Sequence, residues 1–352
     1  MTMQLRSSAN PHRDPAIWYR SDWEQCDDWL VELSNKEIEE LELAVNSSYA
    51  IPIPELDHRS FCLPKLGFRL SAIRHELISG RGFVLLRGLP VLEWPRETSA
   101  RAYYGIACHL GQPVPQNAQG HLLGHVIDMG LNPLDPLSRI YQTSYRHLFH
   151  TDSADIVGLL CLQTARYGGE SAICSSTTIY HEIATHRPDL LETLCQPFHI
   201  DRKGEIPKDQ EETYEMAVFY PTENNVTCIY ARDFIEAAQR HSYIPRLTKK
   251  QTAALDLIDN LASSDDLRLD IKFLPGDMQF LHNHQILHAR TRYEDWPEPD
   301  QKRHLLRLWL STLDGRSLPE AFEARYGKIV PGYARGGIRV PGAVLHAPLS
   351  PS

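Results

Sequence analysis

Hydrophobic positions in the first part of the chain recur at helical spacing. Ser34 and Glu37 form a capping box ahead of the run to Val45, which predicts a helix there. A second helix is predicted over 71–78, stopped by Gly80, and a third over 98–110, closed by Gly111. Between them, 82–89 is an apolar strand ending in a Gly-Leu-Pro turn, and 52–64 is irregular. Trp18, Tyr19, Trp23 and Trp29 stand among polar residues near the N-terminus, so residues 1–33 read as an arm packed across the body.

The second half changes pattern. Short apolar runs over 156–162 and 171–175 flank the turn Gly168-Gly169 and predict buried strands. Helical character follows over 177–184 and 189–195. Strands are predicted over 217–219 and 226–230, around a turn at 223–225. Thr248 and Gln251 make a second capping box, opening a helix to about Leu261. Residues 271–274 and 278–281 read as a hairpin about Pro275-Gly276-Asp277, and 304–311 as a strong strand. Strands around a core with helices at the margins predict a mainly β fold, a double-stranded β-helix (jelly roll) with helical decoration. No composition break divides it. Residues 1–352 form one domain with a core over about 82–311, and 312–352 form a C-terminal arm or lid.

Composition supports a packed core: 42% of residues are hydrophobic and 23% charged. The net charge of −9 argues against nucleic acid as a main partner. No apolar run has the length of a membrane span, and the polar stretch 1–14 lacks the apolar core of a secretory signal. The seven cysteines contain no Cys-x-x-Cys pair and read as free thiols in a reducing, cytoplasmic setting. A homo-oligomer stays open.

Candidate chemistry enters at His150-Thr151-Asp152. On a strand, residues i and i+2 face one side, so this spacing aims an imidazole and a carboxylate at one point. A second imidazole would complete the two-histidine, one-carboxylate face of non-haem Fe(II) oxygenases. His282, His284 and His288 share one parity, and spacing alone does not choose among them. Arg303 and Arg307 lie four apart on one strand and face the same side, where buried guanidiniums call for anions. Thr177 offers a hydroxyl that could share a carboxylate with an arginine. Gln116, Asn117, Tyr141, Gln142 and Asn283 flank the metal segments and are candidate pocket residues.

Together, Phe149-His150-Thr151-Asp152-Ser153, Gly168-Gly169, Ser175-Ser176-Thr177, the Phe273-x-Pro-Gly-Asp277 turn, Asn283-His284, Leu287-His288-Ala289-Arg290 and the Arg303 to Arg307 stretch resemble the TauD/TfdA family. The resemblance spans about 82–311. It implies an Fe(II)- and 2-oxoglutarate-dependent dioxygenase on a jelly roll. His150, Asp152 and His288 would be the iron ligands, His288 being selected by the family's His-x-Arg. Thr177 and Arg303 would hold the distal carboxylate of 2-oxoglutarate, and Arg307 an anionic group of the substrate. Asp152 also disfavours halogenation, since related halogenases have a small residue there.

The reaction so implied consumes O2 and 2-oxoglutarate, yields succinate and CO2, and abstracts hydrogen from a C–H bond of a small, anionic substrate such as an amino acid. Hydroxylation, desaturation and ring closure share that first step. The rival readings are a metal-dependent jelly-roll hydrolase or isomerase that uses no 2-oxo acid, and a non-catalytic binding protein.

Overall fold

Alternation along the long strands sorts side chains onto two faces, and both faces are buried. In this computed structural model, which describes residues 14–133, 135–207, 209–330 and 332–351, a seven-stranded sheet runs Leu30–Glu32, Phe83–Arg87, Met278–His282, Ile156–Gln163, His304–Ser311, Gln112–Val114, with Leu123–Val126 also on His304–Ser311. The second sheet has four strands in the order Leu269–Ile271, Ser171–Ser175, Ile286–Arg290, His147–His150. Phe83, Val157, Leu159, Leu281, Leu305 and Trp309 from the first sheet meet Ile173, Leu269, Ile271 and Ile286 from the second. This inner layer is the jelly-roll core, and the alternate residues point outward.

Outward on the large sheet, Leu86, Leu160, Phe280, Leu306, Leu308 and Leu310 pack on the helices Asn35–Ser48, Leu66–Ser79 and Arg96–Cys108. Each fully buried leucine there contributes about 1.5–3 kcal/mol. Outward on the small sheet, Phe149, Cys174 and Leu287 pack on Ser176–His186, Pro188–Leu194 and Lys249–Ala262. Both predicted capping boxes form, at Ser34 with Glu37 and at Thr248 with Gln251. The second helix begins five residues before its predicted start, at Leu66. Glu40 supplies the missing cap from another helix, accepting from the amides of Lys65 and Leu66.

The predicted hairpin about Pro275-Gly276-Asp277 does not form. Leu269–Ile271 pairs with Ser171–Ser175 in one sheet, and Met278–His282 pairs with Phe83–Arg87 and Ile156–Gln163 in the other. The turn is a crossing between sheets. Gly276 (φ +90°) passes so close to the Leu89 carbonyl that a Cβ would sit 2.1 Å from its oxygen, and Asp277 takes a bidentate pair from Arg87 at 2.8 Å.

Residues 1–13 lie outside the described residues. Of the predicted arm, Trp18 is buried against Phe83 and donates its indole N–H to the Arg81 carbonyl. Part of the chain beyond 312 packs into the body. Arg335 is buried, with Nε donating to both oxygens of the fully buried Asp155 at 2.9 and 3.0 Å. Asp155 also takes His284 Nε2 at 2.8 Å and the Thr312 amide at 2.8 Å. All seven cysteines are free, and among the described residues no helix is long and apolar enough to cross a membrane.

Candidate metal centre and cosubstrate cradle

His150 ends its strand and shares inner-face parity with His288, its direct partner across the antiparallel pair. Asp152 is not on a strand; it sits two residues past the end of His147–His150. Backbone bonds aim it instead. Thr151 N donates to the Tyr230 carbonyl at 2.7 Å and Asp152 N to Asn283 Oδ1 at 3.1 Å. The side chains of His150, Asp152 and His288 converge, one ligand atom from each lying within 4.8 Å of the others. The competing histidines are engaged elsewhere: His282 Nδ1 meets Gln285 Oε1 at 3.0 Å, and His284 binds Asp155.

The donor set suits a divalent transition metal. His150 Nδ1 is satisfied by the Leu148 carbonyl at 2.8 Å, which leaves Nε2 free for a ligand bond. Burial, together with the neighbouring His150, pushes the His288 imidazole down to about 3, so it stands neutral with a lone pair available. Burial works to raise the Asp152 carboxyl, but Arg307, His288 and His150 outweigh it and hold it below the usual range. Asp152 Oδ2 is buried with no hydrogen-bond partner and lies 3.8 Å from His288 Nε2. An ionised oxygen left so is costly unless a cation meets it.

Arg303 and Arg307 do different things. Arg307 has the inner-face parity of Leu305 and Trp309; its Nη1 is 3.6 Å from Asp152 Oδ1 and its guanidinium lies 4.4 Å from the Tyr141 ring centre. Arg303 stands one residue before the strand, beside an irregularity in its pairing. It lies over Gly169 (φ +77°), where a Cβ would come within 2.9 Å of its Nε. Around it are Tyr293, at 5.1 Å from ring centre to guanidinium, and Arg290, itself 4.8 Å from the same ring. Burial and the nearby Arg303 push Arg290 down to about 10. Arg303 Nη1, Arg290 Nε, Tyr293 Oη and Gln279 Nε2 are all buried without a hydrogen-bond partner. Two buried guanidiniums with spare donors form a cradle for a carboxylate.

Thr177 is not part of this cradle. It lies in the helix Ser176–His186, beyond the opposite end of Ser171–Ser175, and lines a separate cleft with Asp14, Gly80 and Arg316. The hydroxyl at the cradle end is Ser171, paired across the sheet with Arg290 and 3.5 Å from Gln279 Oε1. Its sequence signal was the position directly after Gly168-Gly169-Glu170. Of the pocket candidates, Tyr141 lines the cavity in front of His150 and Asp152. Gln116, Asn117 and Gln142 line a smaller neighbouring space beside Arg307. Asn117 also closes a local turn, accepting from the amides of Gln119 and His121. Asn283 lines neither and orients Asp152 from behind. His147, missed in the sequence, also faces the cavity; its ring stacks 3.7 Å from that of His150.

The sequence matches, over residues 52–309, the family described as taurine catabolism dioxygenase TauD, TfdA family. The chain belongs to the TauD/TfdA family. It is an Fe(II)- and 2-oxoglutarate-dependent oxygenase of that family. It is 30% identical over 322 residues to FR-33289 synthase of Streptomyces rubellomurinus, covering 89% of this chain and 94% of that protein. It is also 30% identical over 308 residues to a taurine hydroxylase-like protein of Stachybotrys chartarum, covering 84% and 78%. Among solved structures, asparagine oxygenase with Fe(II), 3-hydroxyasparagine and succinate superposes with a TM-score of 0.61 at 18% identity, covering 81% of this chain and 94% of that one. The iron oxygenase OrfP with Fe, succinate and hydroxyarginine does so at 0.60 and 14%, covering 80% and 94%. The latter two likenesses establish the jelly roll, as predicted.

Proposed function

We propose that His150, Asp152 and His288 hold the iron, that Arg303 with Ser171 and Arg290 receives the distal carboxylate of 2-oxoglutarate, and that the substrate is a small molecule with an anionic group. The observation that carries the metal reading is the unpartnered Asp152 Oδ2 beside the imidazoles of His150 and His288. When bound, iron with O2 supplies the redox chemistry that converts 2-oxoglutarate to succinate and CO2 and oxidises a substrate C–H bond.

The chain's own residues supply position and charge. Leu148 and Asn283 fix the directions of His150 and Asp152. Arg307 balances the Asp152 carboxylate, and Gln116 holds Arg307. The cradle about Arg303 lies on the inner-face side of the same strand pair as His288, so one short dicarboxylate can span cradle and metal. Ile200, Met216, Val218 and Trp309 wall the cavity with apolar surface that keeps water from the reacting centre.

Purified protein given Fe(II), 2-oxoglutarate and O2 should release succinate, and His150→Ala or Asp152→Ala should abolish both the release and stoichiometric Fe(II) binding under anaerobic dialysis. Full turnover in both variants would sink the iron assignment. Asparagine and arginine, whose hydroxylated forms occupy the two fold relatives, and taurine are the first substrates to screen, by succinate release above the substrate-free rate.

A further inference from the structure

Besides Asp152, four charged side chains line the cavity in front of the metal ligands: Arg139, Asp233, Arg307 and Arg325. Three have an opposite charge at hand. Arg139 pairs with Glu205, Asp233 with Lys203 Nζ at 2.8 Å, and Arg307 with Asp152. Arg325 does not. Its Nε donates to Ser153 Oγ at 3.0 Å, and no acidic side chain among the described residues forms an ion pair with it.

A second cation stands beside it instead. Arg202 Nη2 donates to the carbonyl of Ala324 at 3.0 Å, and its guanidinium lies 4.6 Å from the ring centre of Tyr214, another wall of the cavity. Arg202 is buried and likewise has no acidic partner among the described residues. Burial pushes its guanidinium down; Tyr214 works against that, and the charge of Arg325 adds to it. Like charges with no counterion at a low-dielectric wall repel, and an oxyanion arriving between such donors relieves them.

We propose that Arg325, with the Ser153 hydroxyl beside it, is a specificity residue that takes an oxyanion of the substrate. The inference rests on the oxygenase reading above and moves the main anion contact from Arg307, already held by Asp152 and Gln116, to Arg325. The ligand chemistry is a carboxylate, sulfonate or phosphonate joined to a carbon chain that lies on the apolar wall of Ile200, Met216, Val218 and Ile229. Ser153 directly follows Asp152, so the anion is anchored one residue from a metal ligand.

The test is calorimetric titration of the Fe(II)- and 2-oxoglutarate-loaded protein, without O2, with pentanoate, pentane-1-sulfonate, pentylphosphonate and neutral pentan-1-ol. The wild type should prefer at least one anionic probe to pentan-1-ol, and which anion binds best separates a carboxylate from a tetrahedral head. Arg325→Gln should weaken that probe about tenfold or more and pentan-1-ol less than about twofold, which also reports an intact cavity. Arg325→Lys should regain part of the loss, and Lys328→Gln, removing an exposed charge nearby in sequence, should change nothing. Equal anion binding by wild type and Arg325→Gln overturns the assignment. So does a wild type that prefers no anion, or a variant that loses pentan-1-ol in equal measure. Repeating the titration on metal-free protein reads Arg325 even if succinate is never formed, so the oxygenase reading can fail separately.

Discussion

The carboxamide of Gln116 holds Arg307 twice, accepting from the guanidinium Nε at 2.7 Å and donating to the backbone carbonyl at 2.7 Å. Arg307 in turn steadies Asp152, so Gln116 is a positioning residue two contacts from that candidate metal ligand. Gln116→Leu should leave a buried guanidinium short of one acceptor, costing about 1–3 kcal/mol of stability. Substrate-dependent turnover should fall about tenfold, a loss of about 1.4 kcal/mol in the transition state. Urea unfolding and steady-state kinetics check both, and a wild-type kcat would remove Gln116 from the machinery.

Cosubstrate binding should follow the cradle and ignore the helix. Arg303→Gln should raise the KM for 2-oxoglutarate by about tenfold or more, in line with loss of a charge-assisted contact. Ser171→Ala should raise it less. Gly169→Ala should raise it too, because the added methyl displaces Arg303. Thr177→Val should leave it unchanged. Succinate assays at varied 2-oxoglutarate measure all four; a Thr177 effect matching that of Arg303 would contradict the arrangement.

Stability should fall on mild acidification through the buried pair His125 and His304, whose ring nitrogens lie 2.7 Å apart. Burial, then the neighbouring His125 and Arg96, push His304 down to about 3, against about 6.5 in an unfolded chain. Between those values the unfolded state takes a proton that the native state refuses. Stability is therefore unaffected above about pH 6.5 and falls below it, by up to about 1.4 kcal/mol per pH unit for this one group. His304→Gln should flatten the slope between pH 6.5 and 5 in urea titrations. An unchanged slope would show that other groups control it.

Arg335→Met should be strongly destabilising, by about 3–5 kcal/mol, because it takes the balancing guanidinium from the buried Asp155 carboxylate and leaves it only His284 and Thr312. Replacing both partners, Arg335→Met with Asp155→Asn, should recover part of that loss. Chemical unfolding of the two variants decides it, and equal losses would deny the pairing.

Much of this was legible in the chain. The parity of the Arg307 strand and both capping boxes are local signals, and each appears in the fold; His150 and Asp152 do converge, but not by the strand alternation their spacing suggested. The failures were non-local. Thr177 and Ser171 are both hydroxyls near a glycine turn, and only the pairing of Ser171–Ser175 with Ile286–Arg290 says which end meets Arg303. Asp152 lies off the strand because distant carbonyl and amide groups aim it, which no alternation pattern encodes. The Pro275-Gly276-Asp277 turn carries the residues of a tight bend, yet its two flanks join different sheets.

The loop bearing Asp152 is wrapped from behind by the end of the chain. Gly337 N donates to the Ser153 carbonyl at 2.7 Å, Tyr326 Oη to the Asp152 carbonyl at 3.4 Å, and Arg335 closes on Asp155. The direction of the Asp152 carboxylate therefore depends on Tyr326, Arg335 and Gly337, more than 170 residues further along the chain, so a substitution there can disturb the candidate metal centre without touching any of its three side chains.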